Sequence, residues 1–192
     1  MIEERCEFCK GAGRDPSLDA RLLVTNSWFS TYEDLAPIVA SHRLIIPHAH
    51  ITAFGTLSAR EMGEIIDHIH THSPLASPES ASVVFEHGIL HCESSGCGIS
   101  HAHWHMAELL KTELRSFVAT VESALKTHRL VRPVELAQGH HSYLFIWDTS
   151  QAVGLLFDGR TSPSQFLRKS LAHAVGTSQW DWRVHAASAG TR

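Results

Sequence analysis

The stretch His101-Ala102-His103-Trp104-His105-Met106 places an imidazole at every second position. Side chains of an extended chain alternate between faces, so residues two apart share one. Three imidazoles then stand in a row, about 7 Å from one to the next, a spacing suited to successive atoms of one extended ligand. The segment therefore reads as a strand from His101 to Met106. Just before it, Ser94-Ser95-Gly96-Cys97-Gly98-Ile99-Ser100 could wrap backbone N–H groups around a phosphate. One histidine on a strand would pass for a chance buried residue. Three at strict alternation beside an anion cradle point to phosphoryl or nucleotidyl transfer.

The elements around this strand give the fold class. Arg21 to Thr25 and Trp28 to Tyr32 are short β-rich runs separated by Asn26-Ser27, a hairpin signal. His42 to Pro47 is a third strand stopped by its proline, and Ser82 to Glu86 is a fourth. Ser58-Ala59-Arg60-Glu61 is a capping box, and behind it Met62, Ile65, Ile66 and Ile69 recur at helical spacing. The stripe Leu110, Leu114, Phe117, Val118, Val121 and Leu125 predicts a long helix from Ala107 to Thr127. Tyr143 to Trp147 and Val153 to Phe157 predict a second hairpin. Ser162-Pro163-Ser164-Gln165 predicts another capped helix, ending near Gly176. Short hairpins mixed with helices argue an α+β fold with an antiparallel sheet of about five strands. The division expected is a core over 1–110 and a C-terminal helical and hairpin extension over 111–192, packed on that core.

Composition narrows the class further. With 192 residues, 43% apolar and 19% charged, the chain has the make-up of an ordinary globular protein, which excludes a disordered or fibrous one. No run approaches the ~20 apolar residues of a membrane span, and Met1 to Arg5 is too acidic for a signal peptide, so a cytoplasmic protein without membrane partners is expected. The formal charge of −4 carries no strong nucleic-acid signal. Sixteen histidines would take that charge from −4 to +12 if all were protonated, so acid should be disruptive. The cysteines fall in two pairs, Cys6/Cys9 and Cys92/Cys97, which suggest metal ligands before disulfides.

These residues resemble the histidine triad (HIT) superfamily of nucleotide hydrolases and transferases. Its signature is His-φ-His-φ-His-φ-φ, with φ apolar, and His101 to Ala107 fits it throughout. The resemblance spans roughly Cys6 to Met106, taking in the Cys-x-x-Cys start and the segment from His42 to His50. It implies that His103 attacks an α-phosphorus to form a covalent nucleotidyl-imidazole, with its other nitrogen bonded to a carbonyl. It further implies that His42 orients this region and that His105 contacts the phosphoryl oxygens or assists the leaving group. A glutamine at that last position marks transferase branches, so His105 leans toward hydrolysis, with transfer still open. Asp34, eight residues before His42, matches an aspartate that binds ribose hydroxyls. Ser94, Ser95, Gly96, Gly98 and Ser100 are the remaining expected substrate contacts, and a nucleotide or nucleotide conjugate is the expected partner. Related proteins are frequently homodimers.

The resemblance also implies one structural zinc ion per chain, held by Cys6, Cys9, His50 and His101. A four-cysteine site joining Cys6/Cys9 to Cys92/Cys97 is the competing arrangement, and His48 is a substitute for His50. The chain departs from the family's pattern at Gly96-Cys97-Gly98, which replaces Gly-Gln-Ser, and at Phe85-Glu86-His87-Gly88, which replaces an asparagine-containing segment. Ser164 to Lys169, with Arg168, and Trp180 to Arg183, with Trp182, could reach over the site to bind anionic groups and stack on a base, or the tryptophans could simply pack a C-terminal helix on the sheet. His68 and His72 with Glu64 are either a chelating set or a wet helix face. Two rival functions remain: a metal-dependent hydrolase with His101 and His103 as ligands, and a non-catalytic nucleotide- or zinc-binding module.

Overall fold

Alternation along the strands decides which side chain faces which layer. A computed structural model describes residues 6–11, 18, 20–73, 77–89, 99–138 and 141–189. The strands β1 (Leu22–Thr25), β2 (Phe29–Glu33), β3 (Arg43–Pro47), β4 (Ser80–Gly88), β5 (Trp104–Leu110), β6 (Arg129–Val131), β7 (Tyr143–Asp148) and β8 (Gly154–Asp158) form one sheet in the order β1-β2-β3-β5-β4-β7-β8-β6. Every neighbouring pair is antiparallel. The class is α+β, and the sheet has eight strands where about five were expected. The difference arises because β7 pairs with β4 along its length, from Val83↔Asp148 to Gly88↔Tyr143. The second hairpin thus lengthens the central sheet instead of resting on it.

The helices are α1 (Glu7–Gly11), α2 (Ala59–His72), α3 (Lys111–Leu125), α4 (Phe166–Ala174) and α5 (Trp182–Ala189). On one face of the sheet, Ile45, Val84, Trp104, Phe145 and Trp147 pack against Met62, Ile65 and Ile69 of α2. On the other, Val83, Phe85, Ala107, Leu109, Leu144 and Ile146 pack against Leu114, Phe117 and Val121 of α3 and Leu167 and Leu171 of α4. The α2 start follows the sequence: Ser58 Oγ accepts the Glu61 N–H while the Glu61 carboxylate accepts the Ser58 N–H.

Three boundaries differ from expectation. The triad strand begins at Trp104, because the His101 carbonyl is taken by the His103 ring and the β3–β5 ladder starts only at Ile45↔Trp104. Residues 107–110 continue this strand, since Ala107 to Leu110 are paired with β4 down to Ser80, so the helix starts at Lys111. At α4 no capping box forms. Gln165 occupies the N-cap position at φ 60° and its side chain bonds Asp181 and the Trp182 N–H instead. Gly176 does end that helix: at φ +75° it lets its own N–H reach the His173 carbonyl and the Thr177 N–H reach Ala172.

Behind the triad, on the α2 face, Glu86 is fully enclosed. Its carboxylate accepts the Trp104 indole N–H, the Phe54 N–H and the Tyr143 hydroxyl. Gly88 makes room for that tyrosine, as a Cβ there would lie 2.3 Å from its ring. Burial pushes the Glu86 carboxyl up to about 7, against the pull of its three donors. The neutral acid is the form the fold favours, so this contribution to stability is full below the unfolded value near 4.5 and fades as pH rises through 7. Glu86→Gln turns an amide NH2 toward an indole N–H and should cost about 1–3 kcal/mol at pH 5. Urea midpoints should show a smaller loss at pH 8, where the wild-type carboxyl has itself become unfavourable.

Candidate active site and metal centre

The α3/α4 face carries the site at the point where β5 begins. Leu44 on β3, His105 on β5 and Phe85 on β4 sit side by side in register, and the Phe85 ring stacks on the His105 imidazole at 4.7 Å. The α1 knuckle closes one end, with Phe8 edge-on to His101 at 5.7 Å and to His103 at 5.2 Å. A cavity of about 160 Å³ opens here, lined by His103, His105, Asp34 and His87 together with Phe166 and Trp182 from the C-terminal segment.

Hydrogen bonds fix the imidazole tautomers. The His103 ring lies 2.8 Å, through Nδ1, from the His101 carbonyl, which can only accept, so Nδ1 carries the proton and Nε2 keeps its lone pair. His42 accepts the Ile38 N–H at Nδ1 (3.2 Å), which places its proton on Nε2. That Nε2–H faces His105 Nδ1 at 2.9 Å and makes Nδ1 the acceptor, so a neutral His105 holds its proton on Nε2. The two triad rings are 4.9 Å apart, one with an unprotonated Nε2 and the other with a protonated one.

Asp34 stands beneath these rings. Its Oδ2 is 2.5 Å from Arg168 Nη1, 3.4 Å from His42 Nδ1 and 3.9 Å from His105 Nδ1, and its Oδ1 accepts the Ala36 N–H. Burial alone would raise this acid, but His42, Arg168 and the Ala36 N–H hold it below the usual range. Burial depresses His42 to about 4, with Asp34 opposing and Arg168 and His103 assisting. His105 lies well below its ordinary value for the same first reason, burial, helped by His103, His42 and Arg168. Burial also lowers His103, against the His101 carbonyl and Asp34.

Cys6, Cys9, His50 and His101 form a separate cluster whose four donor atoms all lie within 4.8 Å of one another. His101 Nδ1 is 3.5 Å from both sulfurs and His50 Nδ1 is 3.2 Å from Cys9 Sγ. His101 donates from Nε2 to the Pro47 carbonyl, which leaves Nδ1 as the coordinating atom. Two thiols and two imidazoles converging in this way could hold a metal ion. His48 turns away, bonding Ser30 Oγ. Among the described residues, a second set of three donors joins Asp34, His42 and His105, but the Arg168 guanidinium already occupies its carboxylate. His103 belongs to neither set, so no described cluster pairs it with His101 as a metal ligand. His68 bonds Thr31, His72 bonds the His68 carbonyl and Glu64 bonds Trp28, so these three do not converge on an ion.

Ser94, Ser95, Gly96 and Gly98, with Cys92 and Cys97, lie outside the described residues. Ser100 is described and half-buried two residues past that gap. The sequence reading missed His87, which shares its face with Phe85 and Val83 by strand alternation, and whose ring bonds the Gly159 carbonyl. The alternation itself was the available signal. Trp182 lines the cavity, whereas Trp180 gives its carbonyl to Arg168. Among the described residues, no helix is long and apolar enough to cross a membrane.

No protein-family model matches the chain, and no curated protein matches it. Among solved structures the chain is similar to a HIT family hydrolase from Clostridium thermocellum, at 20% identity over 56% of this chain and 93% of that one, with a TM-score of 0.40. It is similar to a histidine triad protein from Clostridium difficile, at 25% identity over 55% of this chain and 91% of that one, with a TM-score of 0.38. A likeness to yeast Ap4A phosphorylase in complex with AMP covers 77% of this chain and 61% of that one, at 12% identity and a TM-score of 0.47.

The depressed imidazoles set a pH dependence. A histidine whose folded value is lowered contributes stability that is present above its unfolded value and lost as pH falls through the folded one. For His42 that window runs from 6.5 down to about 4, at roughly 1.4 kcal/mol per pH unit. His87, His103 and His105 act in the same direction and Glu86 alone opposes them among the groups discussed. Urea midpoints should therefore fall steadily from pH 6.5 to 4.5, and a flat profile would contradict this electrostatic picture.

Proposed function

We propose that the chain is a zinc-stabilised histidine triad enzyme, a nucleotide hydrolase or nucleotidyl transferase acting at an α-phosphate through His103. The observation that carries this reading is the tautomer of His103. Its Nδ1–H is held by the His101 carbonyl, so a lone pair on Nε2 is available in the wall of a cavity it shares with His105. An imidazole locked in this form is a nucleophile that needs no base to activate it.

The steps follow from those positions. His103 Nε2 forms a bond to the α-phosphorus while the phosphorus–oxygen bond to the leaving group breaks, its electron pair going to that oxygen. The His105 Nε2–H donates a hydrogen bond to that oxygen and offsets the negative charge building there, while keeping its proton. Water or another acceptor then adds to phosphorus and passes its proton to solvent, and the electron pair of the phosphorus–nitrogen bond returns to His103 Nε2. His42 touches neither partner and acts by holding His105 in its tautomer. Splitting one displacement into two puts a covalent nucleotidyl-imidazole between them.

Cys6, Cys9, His50 and His101 would hold the zinc ion. Four sulfur and nitrogen donors make a closed tetrahedral set, which supplies structure and no open coordination position. The chain's own contribution there is to pin α1, with Phe8, against the His101 to His103 segment.

Two measurements test these assignments. Incubation with a panel of nucleotide conjugates, a fast quench and intact-protein mass spectrometry should reveal a nucleotidyl adduct in the wild type that disappears in His103→Ala; its mass identifies the base. A wild-type protein that turns substrate over with no adduct would exclude the covalent path. Metal analysis should give about one zinc per chain, the occupancy of a single closed site, falling in His50→Ala and unchanged in Cys92→Ala. The reverse pattern would assign the metal to four cysteines.

A further inference from the structure

Arg168 is the guanidinium that pairs with Asp34, and each of its three nitrogens has a definite partner. From α4 it sends Nη1 to Asp34, Nη2 to the Ala36 carbonyl at 2.6 Å and Nε to the Trp180 carbonyl at 3.0 Å. It is 4% exposed, and Asp34 is 7% exposed. This fork immobilises the carboxylate that faces His42 and His105.

We propose that Arg168 is a positioning residue for the triad, the far end of an Asp34–His42–His105 chain that decides which nitrogen of His105 carries its proton. The inference rests on the roles given above to His103 and His105. A bare carboxylate 3.4 Å from His42 Nδ1 would draw the ring's proton onto that nitrogen, strip it from Nε2 and leave His105 Nδ1 to donate in its place. The Arg168 charge offsets the carboxylate, so Nδ1 stays an acceptor for the Ile38 N–H. The single proton of His42 remains on Nε2 and is offered to His105. His105 is left with its own proton on Nε2, the nitrogen not committed to His42. The groups facing His42 are Asp34 from the turn after β2, Arg168 from α4, His105 and His103 from the β5 segment, and the uncharged Phe85 ring from β4. Among them only Arg168 carries a fixed positive charge.

Bound in this way, the carboxylate of Asp34 serves the imidazoles. Oδ1 is satisfied by the Ala36 N–H and Oδ2 by the guanidinium. The last quarter of the chain therefore supplies a charge on which the triad's protonation pattern depends, although Arg168 itself touches no triad ring.

The test uses full-length protein with 15N-labelled histidine. In the wild type near neutral pH, imidazole spectra should show His42 with an unprotonated Nδ1 and a protonated Nε2. Arg168→Met should move the His42 proton from Nε2 to Nδ1, lower kcat by about 100-fold, the scale of one lost transition-state hydrogen-bond donor, leave KM within about twofold and move the acid limb of kcat to higher pH. Arg168→Lys should restore the Nε2 proton and part of the rate. The double variant Asp34→Asn with Arg168→Met, which removes both charges, should return the His42 proton to Nε2. Should Arg168→Met fail to fold, Arg168→Gln carries the same comparison. A folded Arg168→Met or Arg168→Gln with an unchanged His42 spectrum overturns the proposal, as does a double variant whose His42 keeps its proton on Nδ1. The spectra do not depend on turnover: a shifted His42 without any nucleotidyl adduct sinks the enzymatic reading alone, and an adduct with an unshifted His42 sinks this one alone.

Discussion

The contact on which the site is built is short and local: the His103 ring bonded to the carbonyl two residues before it. That carbonyl would otherwise be free to join a strand ladder. Giving it to an imidazole ends the ladder at Trp104 and frees the preceding backbone to turn. The turn sends His101 toward the two cysteines and leaves His103 facing the cavity. Ala102 anchors the segment by donating its N–H to the Ile51 carbonyl, and His101 anchors it again through Pro47. One hydrogen bond thus bears both on where the sheet stops and on which ring nitrogen keeps its lone pair.

Charge is distributed unequally between the two faces of the sheet. Under the triad, an acid is ionised because a guanidinium and N–H groups surround it. On the opposite face, Glu86 has three donors but no cation, and burial lifts it toward neutrality. Buried ion pairs are weak evidence for stability, since desolvation commonly cancels their attraction. The Asp34–Arg168 pair is better understood through what it does to its neighbours, as breaking it by removing one partner would strand a buried charge beside two imidazoles.

Much of this was legible in the sequence. Strict alternation picked out His103 and His105, which line one cavity, and the Cys-x-x-Cys spacing with His50 and His101 picked out a cluster that the fold does bring together. The β hairpins and α2 followed from period and capping chemistry. What escaped has physical causes. Leu110 continued the apolar stripe of α3, so the period alone could not show that Ala107 to Leu110 were claimed by β4. Gln165 and Ser162 satisfied a capping pattern, yet the glutamine found better partners in Asp181 and Trp182. The pairing of β7 with β4 and of Arg168 with Asp34 joins residues far apart in the chain. Local pattern carries no information about such partners.

The extension also explains how three imidazoles remain neutral so close together. In water each would titrate near 6.5, and protonation of one would repel protons from the others only weakly. The depression of His42, His103 and His105 has burial as its first cause in each case. Phe166, Arg168 and Trp182, all from the chain's last quarter, line the same cavity as His103 and His105. A sheet bearing the same residues without that segment would lose the fixed charge paired with Asp34 and three of the side chains that line the cavity. The segment that lines the cavity beside these rings thus bears on the charge around imidazoles more than sixty positions earlier in the chain.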